Sequence, residues 1–151
     1  MSAIITIGLP DDRAADRLAI DQLVNRYACL LDAFEVEPLC ALFTDDCQLD
    51  QRAMGTGHQK GLGELRDFFA SLRGVITHQM HSIGTRLCDF ESDTVASGIV
   101  YTIAEAHGAS GKLRAGVRYD DEYHRTDAGW RIYRRRISPL IPMEDSGLFK
   151  E

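Results

Sequence analysis

The amino-acid sequence predicts one α+β domain, with helices covering one face of an antiparallel sheet. Three observations predict it. Apolar residues recur at helical spacing through the first half, from Leu23 to Phe34 and again from Glu64 to Leu72. Four long strand-like stretches then follow one another, separated only by short polar turns. The third of these alternates apolar and polar residues, as a half-buried sheet face requires. A chain of 151 residues has the size of a single domain, and residues 1–151 are read as one.

Each element has a local reason. Residues 1–10 read as an extended arm, and Pro10 with Asp11 and Asp12 as a helix start, a rigid turn followed by a capping carboxylate. Leu23, Tyr27, Leu31 and Phe34, flanked by Val24 and Leu30, form the apolar stripe of that helix. A short second helix is expected over Glu37 to Phe43 and a first strand over Cys47 to Arg52. Gly55, Gly57, Gly61 and Gly63 bracket a loop before the third helix. Strands are expected over Thr77 to Phe90 and Thr94 to Ala106, joined by the polar turn Glu91-Ser92-Asp93. Gly108 to Gly111 leads into the alternating strand. There Leu113, Ala115, Val117, Tyr119 and Tyr123 face one way, while Lys112, Arg114, Arg118, Asp120, Glu122 and His124 mostly face the other. Asp127-Ala128-Gly129 turns into the last strand, Trp130 to Ser138, and residues 139–151 form a tail.

Composition narrows the function classes. With 44% hydrophobic and 26% charged residues the chain affords a real core, so folding requires neither disulfides nor a metal. A net charge of −6 argues against a nucleic-acid partner, whose phosphates demand a basic surplus. The one basic cluster, Arg131 with Arg134, Arg135 and Arg136, sits on a strand whose side chains alternate between faces. No stretch approaches the ~18–20 apolar residues of a membrane span, and MSAIITIGLP has no basic leader. No membrane association is therefore expected, and the cytoplasm is the expected location. Cysteines 29, 40, 47 and 88 form no CxxC pair and fit free thiols in a reducing compartment.

Two residues stand out chemically. Asp32 is the only charged residue in YACLLDAF. It either ends a helix with its head in water or is buried and needs a partner. It lies roughly 140° around the helix from Tyr27, so both border one cavity only if the apolar face is broad. His81 shares a strand face with Ile83, Thr85 and Leu87. Such a histidine is either a hydrogen-bonded core residue or a proton acceptor whose tautomer a carboxylate fixes, and Asp32 is the candidate carboxylate. His78 and His81 form an HxxH pair, but residues three apart on a strand face opposite ways and no third ligand is evident, so no metal is expected. GTGHQKG lacks the strand-then-helix setting of a phosphate loop, no GxSxG elbow occurs, and no cysteine has an obvious base beside it. Tyr101, Tyr119 and Tyr123 occupy strand positions that can face inward, either as core or as pocket hydroxyls.

The element order and three local patterns resemble the SnoaL-like branch of the nuclear transport factor 2-like superfamily. The patterns are IDQLVNRYACLLD followed by LCALFTDDCQLD, then HSIGTRLCDFESDTVASGIVYT, and finally YDDEYHRTDAGWRIYRRRI, and the resemblance runs from about Asp16 to Ile137. The resemblance extends to bile-acid dehydratase-like, scytalone dehydratase-like and dehydrochlorinase-like members. It implies a cone-like curved sheet on about three helices, with Asp32 and His81 as the catalytic dyad and Tyr27 as a polar head in the site. Arg135, five residues after Trp130, corresponds to a substrate-facing arginine, although Arg134 and Arg136 flank it and the register among the three is open. Thr85 stands where many members carry an asparagine contacting substrate, and Tyr101 is a further substrate-facing candidate. The implied function is a cofactor-independent lyase or isomerase acting on a hydrophobic cyclic molecule such as a steroid, terpenoid or aromatic polyketide. The alternative is a non-catalytic small-molecule-binding or assembly subunit, like the small subunit of ring-hydroxylating dioxygenases. A homodimer or homotrimer through the outer sheet face is implied by the family alone.

Overall fold

The structure, a computed structural model, describes residues 13–149. The expected N-terminal arm and the helix start at Pro10, Asp11 and Asp12 lie outside the described residues. Among the described residues, three helices pack on a curved, open mixed sheet of seven strands. The helices are α1 (Ala14–Asp32), α2 (Val36–Cys40) and α3 (Gly61–Leu72). The strands are β1 (Phe43–Asp50), β2 (His58–Lys60), β3 (His78–Phe90), β4 (Val95–Gly108), β5 (Gly111–Thr126), β6 (Gly129–Pro139) and β7 (Glu144–Asp145).

The sheet order is β2-β1-β6-β5-β4-β3, with β7 added on β5. Strands β3 to β6 form the expected chain of antiparallel hairpins. Strand β1 instead runs parallel to β6, with Leu49 opposite Arg135. No hairpin joins these two strands, so local turn chemistry does not fix their relative direction. Strand β2, inside the expected glycine loop, is three polar residues annealed to Gln48, Leu49 and Asp50, too short to leave a periodic signal.

Helix α1 buries Ile20, Leu23, Val24, Tyr27, Ala28 and Leu31 against the sheet. It stops in a Schellman arrangement: the Glu35 N–H donates to the Leu30 carbonyl and the Phe34 N–H to that of Leu31. Phe34 occupies the left-handed position at φ 57°, a conformation usually left to glycine. This sharp end leaves Asp32 as the last helical residue, facing β3.

Two bulges set which side chains enter the cone. In β3 an extra residue between Ile83 and Arg86 breaks the pairing with β4 and reverses the alternation. His81 and Ile83 point inward before it, and Arg86 faces α1 after it, where it donates to Asn25 Oδ1 at 2.8 Å. In β6 the register shift opposite Glu122 and Tyr123 puts Trp130 and Ile132 inward before it and Arg135 and Ile137 inward after it.

The segment after β6 is more than a tail. Strand β7 pairs with Leu113 and Arg114, and Leu148 is buried in the core. Docking depends on Gly111, at φ +154°, where a Cβ would stand 2.8 Å from the Ser146 carbonyl oxygen. No helix among the described residues is long and apolar enough to cross a membrane.

Candidate active site

A cavity of about 310 Å³ opens between the concave sheet face and helices α1 and α3. Its walls are mostly apolar: Leu31, Phe68, Phe69, Leu72 and Ile76 on the helical side, Ala104, Ala106, Ala115, Val117 and Ile137 on the sheet side. Gln51, Met54 and Thr56 close one edge, and Met143, Asp145 and Phe149 of the C-terminal segment close another.

Into this hollow β3 projects His81, and the end of α1 delivers Asp32 behind it. The His81 backbone N–H donates to Asp32 Oδ2 at 2.9 Å, and His81 Nδ1 meets Asp32 Oδ1 at 2.6 Å. Two bonds from one residue to both carboxylate oxygens fix the ring's position. An ionised carboxylate only accepts hydrogen bonds, so in the neutral ring the hydrogen sits on Nδ1 and leaves Nε2 with the lone pair. Asp32 itself lies behind the histidine and not on the cavity wall. One residue pair along β3, Gln79 Nε2 also donates to the Leu31 carbonyl, which already accepts from Phe34, and so ties α1 to the same strand.

Tyr27 lines the cavity at 2% exposure, with its ring edge-on to Tyr119 at 6.0 Å and to Phe69 at 6.5 Å. Burial pushes the Tyr27 phenol above its ordinary value, an effect that the Arg135 guanidinium partly opposes. The phenol therefore stays a protonated donor at neutral pH.

Arg135 resolves the register left open among the three arginines: it turns inward, while Arg134 and Arg136 are exposed on the outer face. It does not reach the cavity wall. The side chain is 0% exposed, gripped by Asp121 through Nε at 2.8 Å and Nη2 at 2.7 Å, and seated in the corner between the Tyr27 and Tyr119 rings, 4.2 Å from each ring centre. The Tyr123 hydroxyl donates to the same carboxylate at 2.5 Å. Arg135 Nη1 is buried without a hydrogen-bond partner. The guanidinium thus braces the two tyrosines from behind.

Two other expected contacts lie elsewhere. Thr85 is exposed at the β3 bulge, because the extra residue breaks the alternation that would have placed it beside His81. Tyr101 points to the outer face beside Arg118, since its neighbour Thr102 takes the inward position opposite Ile83. His78 is exposed and bonds to Thr77, away from His81. Two outer-face arginines are paired with acids, Arg118 with Asp120 and Arg134 with Glu122.

Sequence reasoning missed Asp121, Thr56 and the C-terminal wall. The alternation of β5 already assigned odd positions inward, so Asp121, between Tyr119 and Tyr123, carried a readable signal. Thr56 Oγ1 is buried at the cavity wall with no partner. All four cysteines are free, Cys29 exposed and Cys40 and Cys47 buried; burial pushes Cys47 up to about 11 and Cys88 up to about 12, which keeps both as inert thiols.

A family model described as a SnoaL-like domain matches residues 12–136. The chain belongs to the SnoaL-like domain family. A relative, the uncharacterized protein Rv2910c of Mycobacterium tuberculosis, is 30% identical over 123 residues, covering 80% of this chain and 83% of its own. A solved structure from Novosphingobium aromaticivorans, provisionally named an aromatic ring hydroxylase, superposes with a TM-score of 0.85 at 26% identity, over 91% of this chain and 96% of that one. Hexachlorocyclohexane dehydrochlorinase LinA-type3 from Novosphingobium barchaimii superposes with a TM-score of 0.79 at 20% identity, over 89% and 92% of the two chains. These likenesses place the curved sheet and three helices within the SnoaL-like fold, which hosts chemistry of more than one kind.

Proposed function

We propose that this SnoaL-like protein is a cofactor-independent lyase or isomerase that removes a proton from carbon in a hydrophobic cyclic substrate. The 2.6 Å contact between His81 Nδ1 and Asp32 Oδ1 at the wall of an apolar cavity carries this reading. His81 Nε2 takes the proton from carbon next to a carbonyl. Asp32 holds the ring and offsets the charge of the imidazolium that forms. Tyr27 donates to the oxygen on which negative charge develops, or to the departing hydroxyl. Arg135 acts through Tyr27 and Tyr119 and contacts no substrate, so it is a positioning residue. A cavity of about 310 Å³ falls at the lower end of small-molecule sites, ~300–1,000 Å³, which favours a compact ring system.

The test is dehydration of 3-hydroxy-1-tetralone, a bicyclic β-hydroxyketone. Loss of the C2 proton and the hydroxyl releases water and, after tautomerisation, 1-naphthol, which fluoresces. Androst-5-ene-3,17-dione, whose double bond shifts into conjugation, tests the isomerase arm. His81→Gln is expected to lower kcat/KM by ~10²–10⁴-fold on whichever compound turns over, with an unchanged circular dichroism spectrum. An unimpaired His81→Gln enzyme would overturn the proposal.

The alternative, a non-catalytic small-molecule-binding or assembly subunit, would use the same apolar cavity for ligand capture alone. On that reading both compounds bind and neither is converted.

A further inference from the structure

The proposed chemistry uses one end of the cavity, and the structure supplies a polar group at another. Asp145 on β7 lines the cavity wall. Its Oδ1 accepts from the backbone N–H of Gly147 at 2.8 Å and of Leu148 at 3.0 Å, which holds the side chain in place. Among the described residues Oδ2 has no hydrogen-bond partner, so a fixed, half-buried carboxylate oxygen is left at the wall of a mostly apolar hollow.

The sheet register gives a ruler between the two ends. Gln79, Ala106, Leu113 and Asp145 lie on one rung across β3, β4, β5 and β7. His81, Ala104 and Ala115 lie on the next inward-facing rung. Three strand spacings and one two-residue step separate the His81 and Asp145 Cα atoms by ~16 Å along the sheet. Both side chains reach inward from a concave surface, which shortens that span to one that two or three fused rings can bridge. Between them the surface is low on the His81 side, where Ala104, Ala106 and Ala115 carry only methyl groups, and rises at Leu113 beside Asp145.

We infer that Asp145 is a specificity-determining residue that accepts a hydrogen bond from a hydroxyl on the substrate end remote from the reacting carbon, and that it repels acidic substrates. The substrate class is a flat, fused-ring molecule bearing a distal hydroxyl, lying across the alanine surface with its reactive carbon at His81. Thr56 Oγ1, partnerless at the cavity wall, is a second polar group that a hydroxylated ligand satisfies. This inference rests on the proposed reading for which end is reactive, but its binding consequence is separable from turnover.

The test uses fluorescence titration of 2-naphthol and 2-naphthoate at neutral pH into the full chain, as wild type, Asp145→Asn and His81→Gln. Asparagine keeps the Oδ1 acceptor that caps the Gly147 turn and replaces the free oxygen with a donor, so the fold is retained. Wild type is expected to bind 2-naphthol at least tenfold more tightly than 2-naphthoate. Asp145→Asn is expected to reduce that ratio about tenfold or more, and His81→Gln to leave it unchanged within about twofold. An equal ratio in wild type and Asp145→Asn, or no measurable 2-naphthol binding by wild type, overturns the inference. A turnover defect in His81→Gln alongside an unaltered ratio in Asp145→Asn sinks the Asp145 assignment alone and leaves the dyad standing.

Discussion

At the scale of single residues, the site is a set of charges each held by a named partner. Asp32 holds His81 by two bonds, and Asp121 holds Arg135 by two more. The second pair is wholly buried, and breaking one partner of such a pair leaves an uncompensated charge in the core. Asp121→Asn is therefore expected to destabilise the protein by about 3–5 kcal/mol in urea denaturation. The double replacement Arg135→Met with Asp121→Leu, which leaves no buried charge, is expected to lose clearly less than Asp121→Asn alone. A double variant as unstable as the single one would contradict the claim that the lone charge is what destabilises. Asp32 and His81 were legible in the sequence because each was a polar residue in an apolar setting. Asp121 was legible in principle, from the parity of β5, and was missed because it sits in the acidic pair Asp120-Asp121, where one residue faces solvent and the other the core. That Arg135 packs against tyrosines instead of lining the cavity was not legible, since the pairing of β5 with β6 sets it.

At the scale of elements, irregularities direct the site more than regular structure does. The Schellman end of α1 stops the helix with Asp32 facing β3, and the β3 bulge turns Thr85 out and Arg86 toward α1. Bulges are single inserted residues with no compositional signature here, so period-2 reading carried straight through them and assigned Thr85 to the wrong side. The C-terminal segment was equally hidden. Its strand is two residues long, and what docks it is the space left by Gly111. Gly111→Ala is expected to detach β7 locally: amide hydrogen exchange at Ser146, Gly147 and Leu148 should accelerate by tenfold or more while β3 to β6 keep their protection. Unchanged exchange at those three amides would show that the segment is held by something other than this close approach.

At the scale of the whole molecule, the fold converts distant sequence positions into one wall. A helix end at residue 32, a strand at 81, the loop over 51–56 and the segment over 143–149 meet around a hollow that no single stretch of sequence encodes. The order of helices and hairpin strands was readable because turns and periodicity are local; the parallel β1–β6 pair was not, because it joins strands about ninety residues apart in the sequence with no turn between them. The central claim is that this wall presents one imidazole nitrogen, oriented by Asp32, to a carbon-bound proton. Deuterium incorporation at C1 of 2-tetralone in D₂O, followed by proton NMR, tests it without regard to any leaving group. Wild type should accelerate the exchange over buffer, with His81→Gln slower by ~10²–10⁴-fold and Asp32→Asn also impaired. Equal exchange rates for wild type and His81→Gln would contradict the account.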